Sequence, residues 1–287
     1  MKLLATICLI IFFFCNVFFS LNAHELNIVA SFYPTYIITK NVTKNVPNVK
    51  VRRLVAVNSG CLHNFTLNPN YLKALTNANI LVINGVNMES FIAKISNQYP
   101  KIKILDLSIG INLIKEDNKF NPHIWLSVKN VVKEVNTLTK YLCEIDPENA
   151  KIYKKNSIEF IKKLNILDQE MKFKLARYKG RYFISLSDLF SYMVKDLRLK
   201  TAGIIYDHEQ QLNAKDLAKI ITFIKDKDIK VLFVSADELS SSSSKIIAKE
   251  ANVKIFELAS ILSGPDDLDS YVEFMRNNII TLKKAYQ

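Results

Sequence analysis

The chain has 287 residues, 49% of them hydrophobic and 23% charged, which is typical of a globular protein and excludes a disordered one. Its formal net charge of +12 arises from 39 basic and 27 acidic residues. Most basic residues are lysines scattered without a dense run, whereas a nucleic-acid surface clusters its charge and favours arginine. We therefore expect a solvated lysine-rich surface and no nucleic-acid partner. Weak attraction to anionic lipid headgroups is compatible with the charge.

The first 23 residues form a separate segment. Lys2 gives a positive start, the run from Leu3 to Phe19 is almost wholly apolar, and the small residue Ala23 ends the segment. This pattern predicts a secretory signal peptide cut near Ala23, which leaves a periplasmic or cell-surface protein. A retained membrane anchor is the alternative, but the apolar run is near the lower length limit for a span. The bulky residues before Cys15 argue against a lipoprotein.

Four cysteines are present, and two of them, Cys8 and Cys15, lie in the predicted signal peptide. The other two, Cys61 and Cys143, can form at most one disulfide, and the sequence does not decide whether they do. A disulfide framework is therefore excluded, and the hydrophobic core must hold the fold together.

After the signal segment, short β-rich runs alternate with helical patterns. Strands are predicted at 26–31, 49–56, 80–84 and 102–107, and helices at 34–45, 69–76, 88–97 and 127–143. The alternation restarts after residue 180, with strands at 181–187, 200–206, 229–235 and 253–258 and helices at 188–195, 214–225, 239–251 and 268–286. Alternation of this kind predicts an α/β fold with parallel sheets flanked by helices.

One long helix is predicted between the two series, over residues 146–179. Asp146 can cap it, Pro147 suits its first turn, and Gly180 follows the last periodic residue. Its apolar residues recur at steps of three to five: Tyr153, Ile158, Ile161, Leu164, Leu167, Met171 and Leu175. At about 1.5 Å per residue the helix would be roughly 45–50 Å long, which is more than one lobe needs. The predicted division is a signal peptide (1–23), an amino-terminal α/β lobe (24–144), a linking helix (145–179) and a carboxy-terminal α/β lobe (180–287).

Two histidines stand where a ligand site is expected. Parallel sheets bind ligands outside the carboxyl ends of their strands, so two facing lobes place the site in the cleft between them. His63 follows the second predicted strand, and His123 precedes the last helix of the first lobe. Imidazole is the commonest ligand for zinc and suits other transition metals. A lone histidine is more often structural, but two at matching positions favour a shared metal site.

Several segments resemble those of the zinc/manganese-type solute-binding proteins that feed ABC transporters. They are Cys61-Leu62-His63-Asn64-Phe65, the stretch from Asn84-Gly85 to Met88-Glu89, Asn121-Pro122-His123-Ile124-Trp125-Leu126, and Tyr271 with Met275, Arg276 and Asn278. The segment around His123 is the most specific. The resemblance implies capture of a divalent metal, zinc or manganese, in the interlobe cleft and delivery to a membrane permease. It implies His63 and His123 as ligands, and we expect the protein to be a monomer.

Two departures from the family pattern fall in the second lobe. The family's third ligand, a histidine or glutamate, corresponds to Ser187, and its fourth, an aspartate, corresponds to Ala259. A neutral hydroxyl is a poor ligand and a methyl group is none, so the sequence predicts weakened or altered metal binding. In the family the linking helix is thought to limit movement of the lobes toward each other. If that holds here, closing the cleft would not bring other side chains in to replace the missing ligands.

Other residues could substitute as ligands, although each has a plainer interpretation. Cys61 lies two residues before His63 but is more simply a buried or bonded cysteine. Asp188 adjoins the third position but is more simply a helix N-cap. The segment Asp207-His208-Glu209 follows a strand of the second lobe and is more simply a solvated loop, and Asp237 and Glu257 are further candidates of the same kind.

Two other classes of function are compatible with parts of the sequence. A paralogue that no longer binds metal could serve as a surface interaction protein. A hydrolase is the third class, because Ser187, Asp188 and His208 supply the residue types of a catalytic triad. No Gly-x-Ser-x-Gly elbow surrounds the serine, and the six glycines include no phosphate-binding loop. We therefore expect a binding protein and not an enzyme.

Overall fold

The computed structural model describes residues 25–55, 68–116, 119–201 and 212–287. The predicted signal peptide lies outside these ranges. The chain folds into two α/β lobes, each built on a parallel arrangement of strands, with a long helix running between them. Within the four described ranges, none of the helices combines the length and the apolar character needed to cross a bilayer.

The amino-terminal lobe contains a sheet in which all neighbouring strands are parallel, in the order β2-β1-β3-β4. Its strands are β1 (Leu26–Ala30), β2 (Val49–Arg53), β3 (Ile80–Ile83) and β4 (Lys103–Asp106). Its helices are α1 (Tyr33–Val42), α2 (Pro69–Leu75), α3 (Ile92–Gln98) and α4 (Val128–Ile145). Every residue of β3 is buried, as expected for the apolar run of a strand covered on both faces. These elements match the predicted ones to within a few residues at each end.

The segment that carries His123 enters α4 through a defined turn. A short antiparallel pair that the sequence did not predict, β5 (Lys115–Glu116) and β6 (Lys119–Phe120), precedes it. A 3₁₀ turn at Ile124–Leu126 follows, and Ser127 caps α4 by accepting a hydrogen bond from the Asn130 amide. The cap fixes the end of this segment against the helix.

The long helix α5 (Ala150–Leu175) continues into 3₁₀ turns at both ends, Pro147–Asn149 and Ala176–Tyr178. The prediction of one long helix is therefore confirmed. Gly180 adopts a φ of +74° just beyond it, a left-handed conformation that favours glycine. Asp146 stands at the N-cap position of the first 3₁₀ turn as predicted, but its side chain does not bond to the backbone there. It accepts hydrogen bonds from the Asn149 side-chain amide and the Tyr153 hydroxyl instead.

The buried face of α5 differs from the predicted stripe. Ile158 is 68% exposed and Ile161 is only partly buried, whereas Phe160, which the stripe omitted, is 2% exposed. The other five stripe residues are buried as predicted: Tyr153, Leu164, Leu167, Met171 and Leu175. Apolar residues at steps of three to five are compatible with more than one buried face of the helix. The packing of α4 and of the last helix against α5 determines which face is buried.

The carboxy-terminal lobe is built in the same way with less regular strands. Its ladder pairs β7 (Val231–Val234) with β8 (Lys254–Glu257) in parallel. The predicted strand at 181–187 is reduced to isolated parallel bridges, Tyr182 with Lys200 and Ser185 with Phe233. Most of the predicted strand at 200–206 lies outside the described residues. The helices of this lobe are α6 (Ser191–Leu197), α7 (Ala214–Asp226), α8 (Ala236–Leu239), α9 (Ser242–Ala251) and α10 (Ser270–Tyr286).

The loop before α10 ties the second lobe to the first. The Tyr33 hydroxyl at the start of α1 donates to the Pro265 carbonyl at 2.9 Å and lies 2.7 Å from the Ser270 hydroxyl. Asn41 of the same helix donates to the Leu268 carbonyl at 3.0 Å. Among the described residues, the larger of two hydrophobic clusters runs through both sheets and α5. The two lobes are therefore packed together, and the His123 segment lies between them.

Candidate metal centre

His123 is 1% exposed and lies directly before the 3₁₀ turn. Its backbone amide donates to Asn121 Oδ1 at 2.8 Å, and its Nδ1 lies 2.9 Å from the same oxygen. Asn121 Nδ2 donates to the Asp188 carbonyl at 2.8 Å, which turns the amide oxygen toward the imidazole. Nδ1 therefore carries the proton, and Nε2 is the ring nitrogen whose lone pair can coordinate a metal.

A buried carboxyl group supports this segment from the amino-terminal sheet. Glu89 accepts hydrogen bonds from the Asn84 amide at 2.8 Å, the Gly85 amide at 3.1 Å and the Ser31 hydroxyl at 2.6 Å. Asn84 Nδ2 in turn donates at 2.9 Å to the carbonyl of Pro122, the residue before the histidine. Burial raises the pKa of Glu89 to about 7, although these hydrogen bonds act in the opposite direction. The network links the ends of β1 and β3 to the histidine segment.

The glycine in this network is required by its surroundings. Gly85 has a φ of +83°, and a Cβ at this position would lie 2.0 Å from the Asp106 carboxylate at the end of β4. Any side chain would therefore strain the backbone and displace Asp106. The sequence singled out Asn84-Gly85 only because it resembles a family segment. The close approach of Asp106 gives the physical reason for glycine at position 85.

Asp188 contacts the same imidazole from the second lobe. Its Oδ1 lies 3.6 Å from His123 Nδ1, and its side chain is 15% exposed. The N-cap interpretation of Asp188 is wrong, because the cap residue of α6 is Phe190. A carboxylate on the Nδ1 side orients and polarises the imidazole, while Nε2, the nitrogen that could coordinate a metal, is on the opposite side of the ring.

The third expected ligand position carries a hydroxyl that lines a cavity of its own lobe. Ser187 and Ser185 have buried hydroxyl oxygens, and neither has a hydrogen-bond partner in the described part of the chain. Both line a cavity of about 30 Å³, which Ser191 and Thr201 also line. Ser187 thus offers one neutral oxygen where the family pattern has a histidine or a glutamate.

The fourth expected position is close to the histidine segment but carries a methyl group. Asn278 of α10 holds Ala259 by accepting a hydrogen bond from its amide at 2.7 Å and donating one to its carbonyl at 3.0 Å. The carbonyl of the next residue, Ser260, accepts a hydrogen bond from Trp125 Nε1 at 2.9 Å. The Trp125 ring packs edge to face against His123, with the ring centroids 5.3 Å apart. The loop after β8 therefore reaches the candidate centre without supplying a ligating side chain at Ala259.

Two further side chains position the segment, and sequence reasoning missed both. The Tyr192 hydroxyl of α6 donates to the Asn121 carbonyl at 2.8 Å and accepts a hydrogen bond from the Ile114 amide. The Tyr271 hydroxyl of α10 donates to the Trp125 carbonyl at 2.8 Å. Tyr271 belongs to a segment that resembles the family, and Tyr192 follows Ser187 by five residues, but neither position indicated the hydrogen bond that the hydroxyl donates.

Several sequence candidates are not part of the described centre. His63, Cys61 and the segment 207–209 lie outside the described residues. Asp237 and Glu257 are exposed. In the described residues Cys143 is a free thiol, with its Sγ 3.6 Å from the Ala150 carbonyl. Those residues also contain no group of three or more His, Cys, Asp or Glu side chains placed to hold a metal. The described half of the site thus consists of one oriented imidazole and its supporting partners.

Comparison with known proteins shows which family the chain resembles. The family model described as "Zinc-uptake complex component A periplasmic" (ZnuA) matches residues 28–285. The chain is 28% identical over 285 residues to the high-affinity zinc uptake system protein ZnuA of Bacillus subtilis, covering 91% of this chain and 88% of that protein.

Two solved structures extend the comparison. A variant of AdcAII of Streptococcus pneumoniae with Zn(II) bound is 26% identical, with a TM-score of 0.81 and coverage of 92% of this chain and 99% of that one. The laminin-binding protein of Streptococcus agalactiae, described as having adhesin and metal-transporting activity, is 25% identical, with a TM-score of 0.81 and coverage of 91% and 100%.

The family match confirms the resemblance that the histidine segments indicated. Members of this family are solute-binding proteins and not enzymes, so the hydrolase hypothesis built on Ser187, Asp188 and His208 is set aside. The family model spans almost the whole chain beyond the predicted signal peptide, including both lobes and α5. The protein therefore belongs to the ZnuA family of periplasmic zinc-uptake components.

Proposed function

We propose that this protein is an exported solute-binding protein that captures a divalent transition metal, zinc or manganese, in the cleft between its lobes and delivers it to an ABC permease. His63 and His123 are the proposed ligands. The observation that carries the proposal is the buried imidazole of His123, whose Nδ1 is held by Asn121 so that Nε2 can coordinate. The match to the zinc-uptake family over residues 28–285 supports it.

The donor set fits a weakened or altered site better than a complete one. Zinc in proteins is usually held by four ligands or by three and a water molecule. The proposed site has His63 and His123, while Ser187 contributes a neutral hydroxyl and Ala259 a methyl group. Cys61, His208 and the carboxylates beside His208 are the residues that could complete it. We expect lower affinity than in a protein with all four ligands.

The surrounding residues would prepare the imidazole before the metal arrives. Asn121 and Asp188 face Nδ1 of His123, so the ring is held in the tautomer that presents Nε2. Glu89 and Asn84 hold the backbone of the same segment. Binding should weaken on acidification, because a protonated imidazole has no lone pair for the metal.

The proposal includes the organisation of the chain. We infer a lobe at 24–144, a linking helix at 145–179, a lobe at 180–287, export with cleavage near Ala23, and action as a monomer. Because α5 packs along both α4 and α10, large lobe closure is not expected, and capture would depend on ligands that already lie close together.

Calorimetric titration of the purified protein with zinc and with manganese tests the proposal. Replacing His63 or His123 by alanine should lower the affinity at least about tenfold. The control His24→Ala removes an imidazole to which the proposal gives no function, and it should bind as the wild type does. Tight binding that survives the replacement of both His63 and His123 would show that the ligands are elsewhere.

A surface interaction protein is the second candidate function. The observation that favours it is the lack of a ligating side chain at Ala259, together with the adhesin activity ascribed to the Streptococcus agalactiae relative. A ligand that binds only the native state raises its thermal stability. An unchanged melting temperature across a panel of divalent metals would favour this second function over metal capture.

A further inference from the structure

A basic cavity lies where the two lobes meet α5. Its volume is about 280 Å³, and its walls come from the first turn of α4, the last turns of α5 with the following residues, and the end of α6. Four cationic side chains line it: Lys129, Lys172, Lys179 and Arg198. The one carboxylate in its lining is Asp196. The lining thus has a formal excess of three positive charges, and it shares no residue with the candidate metal centre.

Two of the four cations have carboxylate partners. Lys129 forms an ion pair with Asp196 at 2.9 Å, and Lys172 pairs with Asp168, four residues earlier on α5. Asp196 also accepts a hydrogen bond from the Ser127 hydroxyl at 2.5 Å. Ser127 and Lys129 both belong to the first lobe, so the Asp196 carboxylate has two partners there.

The other two cations, Lys179 and Arg198, make no ion pair in the part of the chain that the structure describes. Their backbones are held side by side, since the Gly180 amide donates to the Arg198 carbonyl at 2.9 Å. Arg198 has a φ of +54° at the end of α6, a left-handed conformation that costs a non-glycine residue stability. The backbone hydrogen bond therefore holds Lys179 and Arg198 at the same wall of the cavity. Neither has a carboxylate partner among the described residues.

The size and lining of the cavity limit the ligand. Pockets for drug-sized ligands are typically about 300–1,000 Å³, so this cavity suits a smaller group. Leu175 and Leu197 are 4% and 7% exposed and contribute apolar surface, which strengthens electrostatic attraction near it. A guanidinium forms paired hydrogen bonds with a tetrahedral oxyanion, and lysine supplies a point charge.

We propose that this cavity binds a phosphate group. The site goes beyond metal capture and does not depend on it. The phosphate group could come from free inorganic phosphate or from the headgroup of an anionic lipid. Phe173, which follows Lys172, is 85% exposed and would be available to a membrane surface. Because the walls belong to α4, α5 and α6, a bound anion would join the two lobes and raise the thermal stability of the folded protein.

The test compares two double variants that remove the same charge. Lys179→Gln with Arg198→Gln alters the cavity, and Lys151→Gln with Lys162→Gln alters exposed positions of α5 that do not line it. Millimolar inorganic phosphate should raise the melting temperature of the wild type and of the control. The cavity variant should lose most of the shift and bind phosphate at least about tenfold more weakly by calorimetry. Circular dichroism checks folding, and Lys179→Arg with Arg198→Lys should retain binding.

Vesicles distinguish the two sources of the phosphate group. If lipid supplies it, the wild type should bind phosphatidylglycerol vesicles but not phosphatidylcholine vesicles, free phosphate should compete, and the cavity variant should bind less than the control. If the protein binds free phosphate but not vesicles, the proposed site is supported and its ligand is the free anion. No phosphate response in the wild type, or an equal loss in both double variants, would overturn the proposal.

Discussion

The two walls of the candidate metal centre are built differently. On the amino-terminal wall, Glu89 accepts three hydrogen bonds, and Asn84 carries the network to the residue before His123. On the carboxy-terminal wall, Ser187 has a buried hydroxyl without a partner in the described residues, and Ala259 presents a methyl group. Buried polar groups are normally satisfied, and the first wall meets this condition around one imidazole, whereas the Ser187 hydroxyl of the second wall does not meet it among the described residues.

The two walls are nevertheless joined. Asn121 and Trp125 of the first lobe donate hydrogen bonds to the carbonyls of Asp188 and Ser260 in the second. These bonds use backbone acceptors, which remain available whatever side chain stands at Ser187 or Ala259. The contact between the lobes therefore does not require a ligating side chain at either position.

The largest expected effect concerns the residue that bridges both walls. Trp125 is fully buried, stacks edge to face on His123 and bonds to Ser260. Trp125→Ala should lower the free energy of unfolding by about 3–5 kcal/mol, since it leaves a cavity and an unpaired carbonyl. Urea denaturation measures this. Trp125→Phe fills most of the space and should lose less, so an equal loss in both would mean that the hydrogen bond, and not packing, dominates.

A smaller loss is expected on the amino-terminal wall alone. Glu89→Ala leaves the donors of Asn84, Gly85 and Ser31 without their acceptor, and should lower the free energy of unfolding by about 2–4 kcal/mol. It should also weaken metal binding, because the His123 segment loses its support. Stability is measured by urea denaturation and affinity by calorimetry. Retention of both would show that the network does not position the histidine.

The pH dependence of stability tests a buried carboxyl group of α4. Burial raises the pKa of Glu134 from 4.5 to about 8, and Tyr271 of α10 is the titratable group that its charge influences. The stability gained from the protonated form is full below about pH 4.5 and is lost as the pH rises through 8.

Glu134→Gln stays neutral throughout this range, so its unfolding free energy should rise relative to the wild type between pH 4.5 and 8, by on the order of 1–3 kcal/mol. Glu144→Gln changes an exposed residue of the same helix and serves as the control. Urea denaturation across the pH range measures both. Parallel curves for wild type and Glu134→Gln would contradict the raised pKa.

The smallest effect is expected on the carboxy-terminal wall. Ser187→Ala removes a buried hydroxyl that makes no hydrogen bond to a described residue, so the unfolding free energy should stay the same or rise slightly. Thermal or urea unfolding of Ser187→Ala and Glu89→Ala, measured under the same conditions, compares the stability lost at the two walls. A loss at Ser187 as large as the loss at Glu89 would remove the difference between the two walls.

The sequence predicted those features that local signals carry. Alternating apolar periods located the strands and helices of the amino-terminal lobe and most described elements of the carboxy-terminal one, although the strand predicted at 181–187 is reduced to isolated bridges. Gly180 marked the end of the long helix. The segment around His123 was recognisable because its residues are contiguous. The same comparison of segments led to the hypothesis that Ser187 and Ala259 are departures from the family pattern, and this stays a prediction.

Contacts between distant segments could not be predicted in this way. Asn121 and Asp188 are 67 positions apart, so local signals favoured a helix cap at Asp188 and did not show that its side chain faces the imidazole. On α5, Phe160 is buried and Ile158 exposed because of where α4 and α10 pack, and both choices satisfy the helical period. The hydrogen-bonding function of Tyr192 depends in the same way on the lobe opposite it.

Calorimetric titration with zinc of the wild type and of a variant with Ser187→His and Ala259→Asp tests the central claim most directly. If the second wall lacks ligands, the wild type should bind weakly, and the double variant should bind at least about a hundredfold more tightly, since it regains two ligand types of the family pattern. The gain should disappear when His123→Ala is added. Tight binding by the wild type that the two replacements do not increase would contradict the account.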